Sequence, residues 1–250
     1  MRSDCPVAII TGGAGGIGAA IGRSLAGAGF AVVVGFHRSA AAAERLAASL
    51  PGSGHVALSA PVTQSVGLQA LAEAVAERYE RCDVLVNCAG ITRFVAHDDL
   101  EGLDDALIDE ILATNVRGSF AALRALLPLL QASPRPGGAV VVNISSIAAQ
   151  TAMGSNVMYC ASKAAVDNMT RSLARALAPA VRVVSVSPGL VDTEFVKSLD
   201  PEWRDEQTVR TPLGRLASPQ DVATVVLTAV RDLTFTTGCV LPVDGGRPLN

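Results

Sequence analysis

With 250 residues, half of them apolar, the chain can build a sizeable core as one large α/β domain or two small ones. Its 20 basic and 23 acidic side chains leave a formal charge of −3 without any basic block, which argues against nucleic acid as the main partner. No apolar run reaches the length of a membrane span, so no membrane partner is expected.

The five cysteines, Cys5, Cys82, Cys88, Cys160 and Cys239, are scattered and lack metal-site spacing; they fit reduced thiols and a cytoplasmic location. His37, His55 and His97 are far apart and form no metal motif, so no metal site is expected. Residues 1–6 run straight into a short strand and do not have the make-up of a signal peptide.

In chain order, residues 7–10 are a short apolar strand. Thr11-Gly12-Gly13-Ala14-Gly15-Gly16-Ile17-Gly18 follows, and residues 19–28 read as a helix stopped by Gly29. Strand, glycine-rich turn and helix together suit a phosphate. Glycine allows positive φ and close backbone approach, and the helix N-terminus offers unpaired N–H groups. A glycine-rich turn with no ligand is the plainer alternative. Residues 31–36 give strand two, 40–50 an alanine-rich helix and 55–60 strand three. A helix is predicted over 65–79 and strand four over 84–86, ending in Asn87-Cys88-Ala89-Gly90. Residues 98–115 lead through one helix, and 116–130 form another. After a loop at 133–138, strand five covers 139–144, a long helix 157–177, and strand six 181–187, stopped by Pro188-Gly189. Residues 191–210 are a polar, mixed insertion. Ser218 as N-cap and Pro219 in the first turn start a helix to about residue 230. Residues 239–243 are a last strand before Asp244-Gly245-Gly246. Strand and helix alternate without repeat or linker, which predicts one domain over 1–250 with a parallel sheet and helices on both faces.

The chemistry gathers at Tyr159-Cys160-Ala161-Ser162-Lys163. Four residues apart on a helix, Tyr159 and Lys163 share a face. A phenol titrates near ~10, and an ammonium beside it favours the phenolate, giving a proton donor and acceptor for neutral pH. Ser146, thirteen residues earlier, follows an apolar strand, so its hydroxyl can meet the Tyr/Lys pair at the carboxyl edge of an open sheet. Taken alone, the pair is also consistent with an ordinary amphipathic helix.

The ordered set Thr11-Gly12-x-x-x-Gly16-Ile17-Gly18, Asn87-Cys88-Ala89-Gly90, Asn115, Ser146, Tyr159-x-x-x-Lys163, Ser187-Pro188-Gly189 with Thr193, and Val243-Asp244-Gly245-Gly246 resembles the short-chain dehydrogenase/reductase family over nearly the whole chain. Residues 212–216 with Pro219, Asp221, Val222 and Ala223 are similar to its 3-oxoacyl-carrier-protein reductase branch. The resemblance implies a doubly wound, Rossmann-type parallel sheet of about seven strands. It implies a nicotinamide-dependent enzyme acting on a small-molecule carbonyl or alcohol, with an NAD-linked dehydrogenase of a small polyol, sugar or hydroxyacid as the alternative. A dinucleotide-binding regulator is the non-enzyme alternative, which an intact Ser146, Asn115, Tyr159 and Lys163 set speaks against.

By the same resemblance Tyr159 would be the general acid or base. Lys163 would lower the tyrosine's pKa and hold the nicotinamide ribose, Ser146 would bond the substrate oxygen, and Asn115 would hold a water in a proton relay. Gly12, Gly15, Gly16, Ile17 and Gly18 would line the pyrophosphate turn. Asn87, Ala89 and Gly90 would lie by the adenine ribose and the central strands, and Pro188, Gly189, Val191 and Thr193 at the nicotinamide. Plainer roles stand beside these: Asn115 as a helix bridge, Thr193 as a cap, Asp244 as a turn residue, Cys160 as a small core residue.

Two departures from the family pattern stand out. Pro61 replaces the aspartate many relatives carry near the end of strand three, and Ala178-Pro179-Ala180 replaces a basic residue of carrier-protein enzymes, leaving only Arg182 near. Residues 35–39 hold no acid to bind ribose hydroxyls, whereas Arg38 and a protonated His37 suit a 2′-phosphate. NADP(H) is therefore expected over NAD(H), although Gly15, basic in many NADP-dependent relatives, counts against it. The resemblance implies a homotetramer, or at least a dimer, paired through helices 116–130 and 157–177 and the C-terminal strand; Ala121, Ala122, Ala125, Ala161, Ala164 and Ala165 would permit close helix approach. Phe94, Val95, Met153, Val157, Met158, Phe195 and Trp203 point to a largely apolar substrate pocket.

Overall fold

The computed structural model describes residues 5–249, and for Phe195 the backbone only. The signal-peptide reading at residues 1–4 and the pocket reading of the Phe195 side chain lie outside the described residues.

Seven strands form one parallel sheet, β1 (Val7–Thr11), β2 (Ala31–Phe36), β3 (Val56–Ser59), β4 (Val84–Asn87), β5 (Ala139–Ile144), β6 (Val181–Pro188) and β7 (Val240–Val243), in the order β3-β2-β1-β4-β5-β6-β7. Parallel strands covered on both faces are nearly continuous apolar runs, and β1, β4 and β5 are fully buried along their length. Alternate residues feed the two layers. Ala8, Ile10, Val32, Val34, Val84 and Val86 meet α1 (Gly16–Gly27), α2 (Ala40–Ser49) and α10 (Pro219–Arg231). Val7, Ile9, Val33, Leu85 and Val141 meet α3 (Ser65–Tyr79), α5 (Gly118–Gln131) and the C-terminal half of α7 (Val157–Leu177). β7 lies at the edge and carries Pro242, whose missing N–H would break an interior ladder.

Some local readings are corrected. Within residues 98–115 the helix begins at Asp105, where Asp104 caps Leu107 N. It does not stop at Asn115: α4 (Asp105–Ile111) passes through a π-helical turn, Leu112–Arg117, directly into α5. The insertion 191–210 is helical, as α8 (Glu194–Lys197), capped by Thr193, and α9 (Pro201–Val209), capped by Asp200. A short α6 (Ala148–Thr151) follows β5. Ala121 and Ala122 do not wait for a partner chain; they are buried against this chain's own sheet. Ala161 and Ala164 are exposed.

Ser218 and Asp221 form a reciprocal capping box at α10, and Arg215 grips Asp221 at 2.6 Å and 3.0 Å. The Arg215 hydrogen bond, helped by those from Ser218, holds the Asp221 carboxyl well below the usual carboxylate range against opposing burial. A depressed folded pKa stabilises above the unfolded value of about 4 and loses that contribution as pH falls below it. Asp221→Asn should therefore be less stable than the parent at pH 7, with the gap closing below about pH 4. Urea unfolding across pH measures this; a gap independent of pH would show that the charge is not its source.

Candidate active site

The strand order reverses between β1 and β4, which opens a crevice at their carboxyl ends. There the Thr11 hydroxyl accepts from Cys88 N and Ala89 N, both at 3.2 Å, tying the first glycine turn to the end of β4. Gly12 has φ +64°, and a Cβ on it would stand 2.9 Å from the Ala89 Cα; one on Gly18 would stand 2.5 Å from Gly12 O. Only glycine permits this packing. Gly15 is the N-cap of α1, which has no side-chain cap and no acid in its first turn. Its first N–H groups thus remain for an anion, and the residues present fit a dinucleotide pyrophosphate.

A cavity of about 940 Å³ extends from this turn. Ile17, Gly90, Ser146, Tyr159, Lys163, Pro188, Gly189, Val191 and Thr193, nine of the expected site residues, line it. Gly12, Gly15, Gly16 and Gly18 shape the turn, and a Cβ on Gly16 would meet Thr193 Cγ2 at 3.3 Å across the crevice. His37 and Arg38 are exposed past the end of β2, outside the cavity. Asn87 is turned into the sheet, donating to Asn143 Oδ1 at 2.8 Å and Ser119 O at 3.2 Å.

Ser146 comes from the β5–α6 turn, where its Oγ accepts from Ala148 N at 3.2 Å. Its neighbour Ser145 is buried and donates to Lys163 O, so it serves the backbone. Lys163 is buried; its ammonium donates to Ile144 O at 2.8 Å and lies 5.6 Å from the Tyr159 ring centroid. Asn115 sits in the π-turn, a form that recurs at functional sites. Its Oδ1 accepts from Ile91 N at 2.9 Å, and its Nδ2 donates to Ile91 O and Ser162 Oγ, both at 3.1 Å. A Cβ on Gly90 would be 3.3 Å from Asn115 Oδ1 and 3.7 Å from Lys163 Nζ, so both groups border one small space.

Sequence reasoning passed over Asn156, a typical N-cap preceding a helix. Its Oδ1 accepts from Tyr159 N at 2.6 Å while its Nδ2 donates to Arg93 O and Thr92 Oγ1, binding the catalytic helix to the loop after β4. Cys88 also lines the cavity. Burial pushes its thiol up to about 11 against the pull of Lys163, so it is no nucleophile at neutral pH.

The apolar pocket is corrected in part. Phe94, Met153 and Trp203 line it, with Phe94 and Trp203 in edge contact at 6.1 Å. Val95 and Met158 instead pack with Leu107 and Ile111 behind it, and Val157 is exposed. A polar group also lines it: Glu206 and Arg210 pair, and Arg247 donates to Gln207. Arg182 is buried and donates to the carbonyls of Ala229, Leu233 and Thr236, so it offers nothing to a docking protein.

A family profile described as enoyl-(acyl carrier protein) reductase matches residues 12–247. The chain is 41% identical over 248 residues to the protein of Streptomyces violaceoruber named as ketoacyl reductase 2 of the granaticin polyketide synthase, covering 98% of this chain and 97% of that one. This chain belongs to the short-chain dehydrogenase/reductase family. It is 37% identical over 244 residues to cis-4-hydroxycyclohexanecarboxylate dehydrogenase of Sinomonas cyclohexanicum, covering 96% and 95% of the two chains. The crystal structure of 3-ketoacyl-(acyl-carrier-protein) reductase from Brucella melitensis complexed with NADH superposes with a TM-score of 0.87 at 32% identity, covering 97% of this chain and 98% of that one. As a short-chain dehydrogenase/reductase, the protein is an NAD(P)-dependent oxidoreductase acting on CH–OH groups. Among the described residues no helix is long and apolar enough to cross a membrane, and no cluster could hold a metal ion.

Asn115→Leu keeps the side-chain size but strips three hydrogen bonds from buried Ser162 and half-buried Ile91, each worth about 1–3 kcal/mol when left unmet in the interior. The variant should lose at least about 2 kcal/mol in denaturant unfolding. A loss within error of zero would show that the π-turn does not depend on these bonds.

Proposed function

We propose that this reductase converts a ketone, of the 3-oxoacyl or a similar carbonyl class, to a secondary alcohol, with NADPH preferred and NADH usable. One observation carries the reading: Ser146, Tyr159 and Lys163, from β5–α6 and α7, line one cavity that continues from the glycine turn. The bound nicotinamide supplies the hydride. Everything else falls to the protein. As the carbonyl oxygen gains charge, Ser146 and Tyr159 donate to it. Ser146 Oγ already accepts from Ala148 N, which leaves its hydrogen for the substrate. Tyr159 gives its proton as general acid. The Lys163 ammonium, steadied by Ile144 O, stabilises the negative charge left on the phenol. Asn115 would hold the water through which Lys163 reaches solvent.

Gly12, Gly15, Gly16, Ile17 and Gly18 would hold the pyrophosphate; Asn87, Ala89 and Gly90 would border the adenine ribose. Tyr159 and Lys163 would hold the nicotinamide ribose; Pro188, Gly189, Val191 and Thr193 the nicotinamide. Arg38 and His37 would meet a 2′-phosphate, and Arg38, which is exposed, is in no ion pair among the described residues. A dehydrogenase of a small hydroxyacid is the second reading, favoured by Arg210 and Arg247 in the cavity lining. We place the enzyme in the cytoplasm as a homotetramer; exposed Phe120, Ala161, Ala164 and Leu249 and the β7 edge would be covered by partners.

Following nicotinamide absorbance with a panel of ketones tests the activity; no turnover of any ketone or alcohol would overturn it. NADPH should exceed NADH in kcat/KM by roughly 10-fold or more, and Arg38→Ala should remove most of that preference. Equal or better use of NADH would overturn the cofactor assignment.

A further inference from the structure

The catalytic groups do not account for all the charged residues that line the cavity. Four lining residues carry a formal charge: Lys163, Arg210 and Arg247 are positive and Glu206 is negative. Lys163 is committed to Ile144 O, and Arg210 is paired with Glu206 at 2.6 Å. Arg247 differs. It follows the Asp244-Gly245-Gly246 turn after β7, is half-buried, and meets no carboxylate among the described residues. Its guanidinium is spent only on Gln207, donating to the backbone oxygen at 3.1 Å and to the side-chain Oε1. Gln207 is 5% exposed, so the seat is fixed by α9. With Oε1 turned to the arginine, the Gln207 Nε2 is left as a donor beside it. The result is a guanidinium and an amide side by side, both donors, at the edge of a cavity otherwise rich in apolar groups. A partly buried cation without a counter-ion is costly, and a planar, always-charged fork fits a carboxylate in two-point fashion.

We propose that Arg247, positioned by Gln207, recognises a carboxylate on the substrate, so that the enzyme acts on an oxo acid and hydroxy acid pair. The claim rests on the oxidoreductase reading of Ser146, Tyr159 and Lys163 for what the cavity does, and adds which molecules it takes. Burial and the neighbouring Arg210 both hold the Arg247 guanidinium below its usual range, the direction expected of a cation short of a partner. In Arg247→Met the stem and its packing are kept while the fork is lost; Arg247→Lys keeps the charge without the fork.

The test is calorimetric binding to protein saturated with NADPH, a complex in which an alcohol cannot be oxidised. The probes are 4-hydroxycyclohexanecarboxylate, its methyl ester and the matching phosphonate. Because binding is read without turnover, a failure here is distinct from a failure of the ketone assay. The parent should bind the carboxylate roughly 10–100-fold tighter than the ester, the factor a charge-assisted hydrogen bond contributes. In Arg247→Met that ratio should fall to near one, and Arg247→Lys should restore part of it. A parent ratio near one overturns the proposal, as does an Arg247→Met ratio equal to the parent's. A phosphonate bound tighter than the carboxylate would assign the group to phosphate instead and overturn the carboxylate claim. Should Arg247→Met fail to fold, the parent ratio and Arg247→Lys still decide.

Discussion

The docking of one helix on two strand ends sets the whole site. Lys163, Val166, Thr170 and Ala174 recur on one face of α7, and all four are buried against the sheet. Midway along that face a polar row crosses the core. Asn87 donates to Asn143, Asn143 to the Thr170 hydroxyl, and that hydroxyl is 2.8 Å from Ser185 Oγ. Asn87, Asn143 and Ser185 are register neighbours on β4, β5 and β6. Buried donors must be met, so α7 has one axial position at which the row closes. Two turns above Thr170, that position delivers Lys163 Nζ to Ile144 O.

The other supports act at the N-terminal end of the same helix. Asn156 caps it and ties its start to Thr92 and Arg93; Asn115 ties its first turns to Ile91 through Ser162, whose own hydroxyl donates to Tyr159 O. Tyr159 is thus held by its backbone on one side and its neighbours on the other, while its ring remains free to face the cavity. A general acid gains rate only when its proton is aimed, and here the aiming is done by groups that touch no substrate.

Much of this was legible in the sequence, for a physical reason. Strands 31–36 and 139–144 and helices 65–79 and 157–177 match the structure to the residue because buried parallel strands are short apolar runs and the helices carry clear limits. The π-turn was not legible. Its cause is the set of bonds from Asn115 to Ile91, twenty-four residues away, and nothing local marks it. The helices within 191–210 were marked by Thr193 and by Asp200-Pro201, both standard starts, but their polarity read only as a mixed insertion. Ala121 and Ala122 show the converse error, since a small residue on a helix suits a close core contact as well as a subunit interface. The cationic part of the cavity lining escaped because Arg247 meets Gln207 only after β7 has returned the chain to the sheet edge.

The central claim is that a proton aimed by α7 drives the reaction, and replacing the Tyr159 hydroxyl tests it most directly. Phenylalanine keeps the ring and its packing. On purified Tyr159→Phe, turnover with an accepted ketone should fall by ~10²–10⁴-fold or more, while cofactor titration by fluorescence stays close to the parent's. Near-normal turnover would mean that another group supplies the proton and would contradict the account.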